Sequence, residues 1–250
     1  MELKSIVPNE TEIPIITLDV DWAPGFILNF VIDYFIKNQI KSTWFITHDG
    51  EYLDKLRSNK HLFELGIHPN FSHNSSQGNS YDKVFSFLKT LIPKAEIMRT
   101  HGLFQSSNLL AMAAKDYNIK IDCSLYLPRV TGIRPHVINW NHMTLLRLPH
   151  FWADGSEKFY SDPIWSVDHK IFKTRGIKVL DFHPVHIFLN TVSTKVYGQL
   201  LQNRALNDWD LEYVKPFINN KIGPKFLLDE LMSLLKGRSL FISELANKFS

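Results

Sequence analysis

One cysteine, Cys123, among 250 residues excludes an internal disulfide and fits a reducing compartment. Long apolar runs are missing as well. The most apolar stretch, residues 26–36, is broken by Asn29 and Asp33 and is far shorter than the ~20 residues a spanning helix needs, so no membrane span is expected. Neither sign of charge dominates. The 28 Lys and Arg against 25 Asp and Glu leave a formal net charge of +3, with no basic run or stripe, which argues against a nucleic-acid partner. The opening residues 1–8 contain no apolar segment of the secretory type, and a soluble cytoplasmic protein is expected. No repeat, low-complexity tract or Gly/Ser linker divides the chain, so one domain over 1–250 is the simplest organisation. What is present is core material: a 44% hydrophobic share with 13% aromatics excludes disorder.

Strand-like and helix-like segments alternate. Residues 15–20 form a short apolar run between Pro14 and Pro24, the pattern of a buried strand. Ile27, Phe30, Val31, Tyr34 and Phe35 then recur at helical spacing. Further strands are expected at 42–47, 64–68, 95–100, 119–123, 143–148 and 177–182. Helices are expected at 81–91, at 106–117 with Ser106 or Ser107 as cap, and at 225–235. Repeated β-then-α units imply a parallel sheet, open or closed into a barrel, and such folds place their sites at the C-terminal ends of the strands.

Chemically useful residues do follow the expected strands. The first strand ends in Asp19-Val20-Asp21-Trp22, and residues two apart on a strand face the same side. Two carboxylates that close repel unless a cation lies between them. A D-x-D alone is more often a solvated strand end, but the third strand runs into His68 and, five residues on, His73. Imidazole plus carboxylate suits a borderline metal such as zinc. The strand at 95–100 delivers Arg99, whose guanidinium can fork onto a carboxylate, followed by His101. Asp122 holds a comparable strand-end position. The last strand ends in His183-Pro184-Val185-His186, where His183 is a credible general acid or base. Trp152 and Asp154, in Phe151-Trp152-Ala153-Asp154-Gly155, combine a ring face with a hydroxyl acceptor, as sugar sites do; a purely structural Trp152 is equally compatible.

These residues, in this order, resemble the polysaccharide deacetylases, the carbohydrate esterases with a NodB-type domain. The family's T-F-D-D-G is similar to Thr17-Leu18-Asp19-Val20-Asp21 with one residue inserted. Its E-I-G-x-H-[ST]-x-x-H resembles Glu64-Leu65-Gly66-Ile67-His68, with the second histidine one residue late at His73. Its R-x-P-Y/F-G survives as Arg99-Thr100-His101-Gly102, and its L-x-x-H as Leu180-Asp181-Phe182-His183. The D-V-D, H-P-N-F and H-P-V-H details are similar to a cytoplasmic branch of surface-polysaccharide or O-antigen biosynthesis. The resemblance covers about the first 190 residues.

The resemblance implies a distorted or incomplete parallel (β/α) barrel of about seven strands. It implies one divalent metal, Zn2+ or else Co2+, Ni2+ or Mn2+, on Asp21, His68 and His73. Asp19, oriented by Arg99, would be the base, and His183 the acid, supported by Asp122 or Asp154. Trp22, His101, Trp152, Asp154 and His186 would line the substrate. The implied reaction is hydrolysis of an N-acyl, above all N-acetyl, group from an amino sugar. That sugar would be nucleotide- or lipid-linked, or part of an oligosaccharide. Two rivals remain open: a sugar-binding pseudoenzyme, and a deacylase of an N-formyl or non-sugar amide.

Overall fold

In the computed structural model, residues 12–140 and 142–249 are described. Among these residues nine strands make one sheet: β1 (Pro14–Asp19), β2 (Ser42–Ile46), β3 (Phe63–Ile67), β4 (Ile97–Met98), β5 (Ile121–Asp122), β6 (His136–Trp140), β7 (Met143–Arg147), β8 (Trp152–Ala153) and β9 (Lys178–Phe182). Their order is β6-β7-β5-β4-β3-β2-β1-β9-β8, and every pairing is parallel except the β6–β7 hairpin. The sheet curls on itself because β7 and β8 lie on one extended stretch of chain. Its first half pairs with β5; Phe151 N then donates to Val179 O (3.1 Å), and β8 pairs with β9. The result is the expected distorted parallel barrel.

Every residue of β1, β2 and β9 is buried, as strands covered on both faces must be, and apolar residues accordingly predominate in them. Helix α1 (Gly25–Asn38) lays Ile27, Leu28, Val31, Ile32 and Phe35 on the barrel. It is followed outside the barrel by α2 (Tyr52–Ser58), α3 (Tyr81–Leu91) and α4 (Ser107–Asp116). Ser80 caps α3 by accepting from Lys83 N, and Ser106 caps α4 by accepting from Leu109 N (3.2 Å), each satisfying an otherwise orphaned amide. A short α5 (Asp154–Glu157) precedes β9. After β9 come α6 (Pro184–Leu189), α7 (Thr194–Asn203), α8 (Leu211–Val214), α9 (Pro224–Leu235) and α10 (Ile242–Ala246). Helix α10 is tied to the N-terminal ends of the strands, where Ile242 N donates to Thr43 Oγ1 (3.1 Å) and Ser243 N to Glu64 Oε2 (3.3 Å).

The strand count exceeds the expected seven. Strand β6 lies on the rim with its side chains largely exposed, so its apolar residues Val137, Ile138 and Trp140 mark no buried face, and β8 is only two residues long. The expected strand at 95–100 contracts to Ile97–Met98.

Candidate active site

The site is assembled where β1, β3, β4 and β9 end. Strand β1 stops at Asp19, and the chain then turns through two left-handed residues, Asp21 (φ 44°) and Trp22 (φ 55°). Non-glycine residues seldom adopt this conformation, and a sharp turn of this kind needs support. Ala23 N donates to Val20 O (3.0 Å) and Trp22 N to Thr47 Oγ1 (3.3 Å). The turn swings Asp21 under two imidazoles. Its Oδ1 lies 3.1 Å from His68 Nε2 and 2.9 Å from His101 Nδ1, and those two nitrogens are 3.3 Å apart.

Ligand atoms at ~2.0–2.1 Å around a tetrahedral zinc would stand roughly 3.3 Å from one another, close to these spacings. Two imidazoles and a carboxylate are also the donor set of a borderline divalent metal. Asp21, His68 and His101 therefore fit such an ion. Two further clusters, Asp154–His183–His186 and Asp19–Asp181–His183, bring ligand atoms equally close. Cations already hold their members. Lys158 Nζ sits 3.0 Å from His186 Nε2, and Arg99 binds both Asp19 and Asp181. Burial alone would raise the Asp21 carboxyl, but hydrogen bonds from His101, His183 and His68 outweigh it and hold it well below the usual carboxylate range.

Arg99 is fully buried. Its Nη1 donates to Asp19 Oδ1 (2.9 Å) and Asp181 Oδ1 (2.8 Å), its Nη2 to Thr17 Oγ1 (2.8 Å) and its Nε to Cys123 O (3.3 Å), with the guanidinium over the Phe45 ring. One cation thus fixes two carboxylates on neighbouring strands. Asp19 Oδ2 lies 3.6 Å from His68 Nε2, beside the candidate metal position. Burial and the adjacent Asp19 push the Asp181 carboxyl up to about 7 despite Arg99.

His183 precedes α6, with Pro184 at the helix's first position, where a missing N–H costs nothing. Its backbone N–H donates to Asp154 Oδ2 (2.8 Å), its Nδ1 lies 2.7 Å from Asp154 Oδ1, and its Nε2 stands 3.4 Å from Asp21 Oδ2. Burial opposes the charged imidazole, but Asp154 and Asp181 prevail and raise its pKa well above the ordinary value. His186, one turn on, is pushed by burial to about 3 and is a neutral ring packed between His183 and Tyr197.

Asp19, Asp21, His68, Arg99, His101, Asp154 and His183 come together, whereas other expected site residues do not. His73 is exposed, outside the metal-type cluster. The chain turns away at Asn70, whose Oδ1 accepts from Ser72 N and Oγ and whose N–H is held by Gln77 (2.7 Å). His101, expected among the substrate contacts, stands beside Asp21 and His68 in its place. Asp122 is occupied elsewhere, accepting from Arg147 Nε (2.7 Å) and from Ser124; the carboxylate on His183 is Asp154. Trp152 is core, fully buried against Phe182 and Trp165, with its indole N–H on Ile164 O (3.1 Å). His186 lies behind His183, and Trp22 packs edge-on against His101. Asp181 is not among the site residues expected from the sequence; a charged residue inside a buried run is the signal that points to it.

A cavity of about 220 Å³ lies over this cluster, lined among others by Asp19, Asp21, Asp181, His183, Tyr126 and Gly155. A larger groove between α1 and α9, with Phe26, Phe30, Phe188 and Phe226 among its lining residues, carries no comparable set of groups.

A family model described as WbmS-like polysaccharide deacetylase matches residues 16–201. No curated protein matches the chain. Among solved structures, a Bordetella bronchiseptica protein assigned as a polysaccharide deacetylase involved in O-antigen biosynthesis is 29% identical. The match covers 88% of this chain and 89% of that one, with a TM-score of 0.73. A peptidoglycan N-acetylglucosamine deacetylase (14% identity, 95% and 89% covered, TM-score 0.50) shares the fold. So does 4-α-glucanotransferase from Thermococcus litoralis (10% identity, 95% and 38% covered, TM-score 0.54).

Proposed function

The chain belongs to the WbmS-like polysaccharide deacetylase family, and from that premise we propose that it is a metal-dependent hydrolase, a single catalytic domain removing an N-acetyl group from an amino sugar of a surface polysaccharide or its precursor. The observation that carries this reading is one of opposition across a single cavity. Asp19, fixed by Arg99, and His183, fixed by Asp154, flank the Asp21–His68–His101 cluster.

Asp21, His68 and His101 would hold the divalent ion. When bound, such an ion supplies a Lewis acid for the acyl carbonyl and acidifies water. Asp19 takes the proton of the attacking water; its Oδ1 is pinned by Arg99, which leaves Oδ2 for that task. His183 donates a proton to the departing nitrogen, because an alkyl amine does not leave as its anion. Asp154 holds the Nδ1 side of that ring, so Nε2 is the atom presented to the site. The raised pKa keeps the imidazole protonated at neutral pH, as an acid must be. The cavity has room for an acyl group and the edge of one ring, leaving the remaining saccharide on the rim.

The test is acetate release from a panel of N-acetylated nucleotide sugars and oligosaccharides, with metal content measured on the same preparations. Asp19→Asn should abolish release and leave the metal in place. Metal binding without release by the wild-type protein would favour a sugar-binding pseudoenzyme, and formate release an N-formyl substrate.

A further inference from the structure

Asp181 lines the cavity between the two groups assigned to proton transfer: one of its oxygens, one Asp19 oxygen and one His183 nitrogen all lie within 4.8 Å of one another. Its Oδ1 is taken by Arg99 (2.8 Å), while Oδ2 has no hydrogen-bond partner among the described residues, although the side chain is only 6% exposed. A carboxylate oxygen that opens on the cavity with no protein donor on it is free to accept a hydrogen bond from a ligand there. Strand register fixes this placement: Asp181 pairs with Thr17, and both meet the Arg99 guanidinium, which holds the carboxyl group rigidly at the cavity wall.

We propose that Asp181 is a substrate-binding residue whose Oδ2 accepts a hydrogen bond from the N–H of the scissile amide. The bond turns the nitrogen toward His183 and makes the site selective for secondary amides over esters of the same acyl group. This inference rests on the deacylase reading. An ester has no N–H to offer, and a tertiary amide has none either.

The experiment compares kcat/KM for wild type and Asp181→Asn on matched probes, a 2-N-acetyl sugar and the corresponding 2-O-acetyl sugar, at about pH 8.5, where the carboxyl is ionised. Asparagine keeps an oxygen for Arg99 but turns a donor toward the substrate. The preference for amide over ester should fall roughly 10- to 100-fold, and the preference for the secondary amide over its N-methyl-N-acetyl analogue should fall with it, which a change in the acidity of His183 or in the aim of Asp19 would not produce. Equal losses on both probes, or no loss on the amide, would overturn the assignment while leaving the deacylase reading intact. A wild-type protein inactive on both would overturn reading and inference together. Should Asp181→Asn fail to fold, the wild-type protein decides by comparison of the N-acetyl sugar with its N-methyl-N-acetyl analogue. The analogue should be turned over roughly 10- to 100-fold more slowly, and equal rates would overturn the assignment.

Discussion

Replacing Arg99 tests how the site is held together. The guanidinium is fully buried and donates to Asp19, Asp181 and Thr17 at 2.8–2.9 Å. Arg99→Met removes the cation and leaves two buried carboxylates facing each other. Breaking a buried ion pair from one side costs about 3–5 kcal/mol, a drop in melting temperature of roughly 6–20 °C for a chain of this size. The loss must also depend on pH. Asp181 is raised from 3.8 to about 7, so its contribution to stability is fully present below its unfolded pKa and is lost as pH rises through about 7. Without Arg99 the ionised form is costlier still, so the deficit of Arg99→Met should be smaller near pH 5 than near pH 8. Arg99→Lys keeps the charge but not the fork that reaches both carboxylates. It should fold and retain metal while losing roughly ten-fold or more in kcat, because Asp19 is no longer aimed. Thermal melts at both pH values, with acetate release alongside, decide the matter. A deficit below about 1 kcal/mol for Arg99→Met, or one identical at both pH values, would refute the buried-cation account.

His101→Ala should sharply lower metal content while His73→Ala leaves it unchanged, as read by elemental analysis; the reverse result would restore His73 as a ligand. His183→Ala should lower kcat on the amide by about 10²–10⁴-fold with metal retained, and by less on an activated ester; equal losses would instead indicate a role in metal binding or folding. Asp154→Asn should weaken the charged imidazole of His183 and move the alkaline limb of the amide pH–rate profile to lower pH. Asp122→Asn should reduce stability through its bond to Arg147 without moving that limb.

Much of the barrel could be read from local pattern. Residues 42–47 and 177–182 are legible as strands because parallel strands covered on both faces are rich in apolar residues, and the helix at 106–117 carries its expected Ser106 cap. The hairpin strand β6 could not be read that way, since its exposed side chains impose no alternation. The same limit applies to side-chain partners. Spacing alone singles out His73, but spacing says nothing of the Asn70 turn that directs it outward. Asp122 and Asp154 each follow or end a short buried strand, and local sequence does not distinguish them. The difference comes from Arg147, 25 residues from Asp122, and from β8 pairing with β9, which sets Asp154 against His183.

The alternation of strands and helices, the barrel class, the family and the positions of Asp19, Asp21, His68, Arg99 and His183 at or just past strand ends are all legible in the chain. The alternation follows from periodicity and the strand-end positions from short motifs, both of which depend on residues close in the chain, while the barrel and the family follow from the resemblance those motifs carry. Only the tertiary structure decided that His101 joins Asp21 and His68, that Asp154 holds His183, that Trp152 is core, and that Asp181 shares Arg99 with Asp19. Those outcomes depend on inter-strand register and on two left-handed residues after β1, which bring together groups as far apart in the chain as Asp19 and His183.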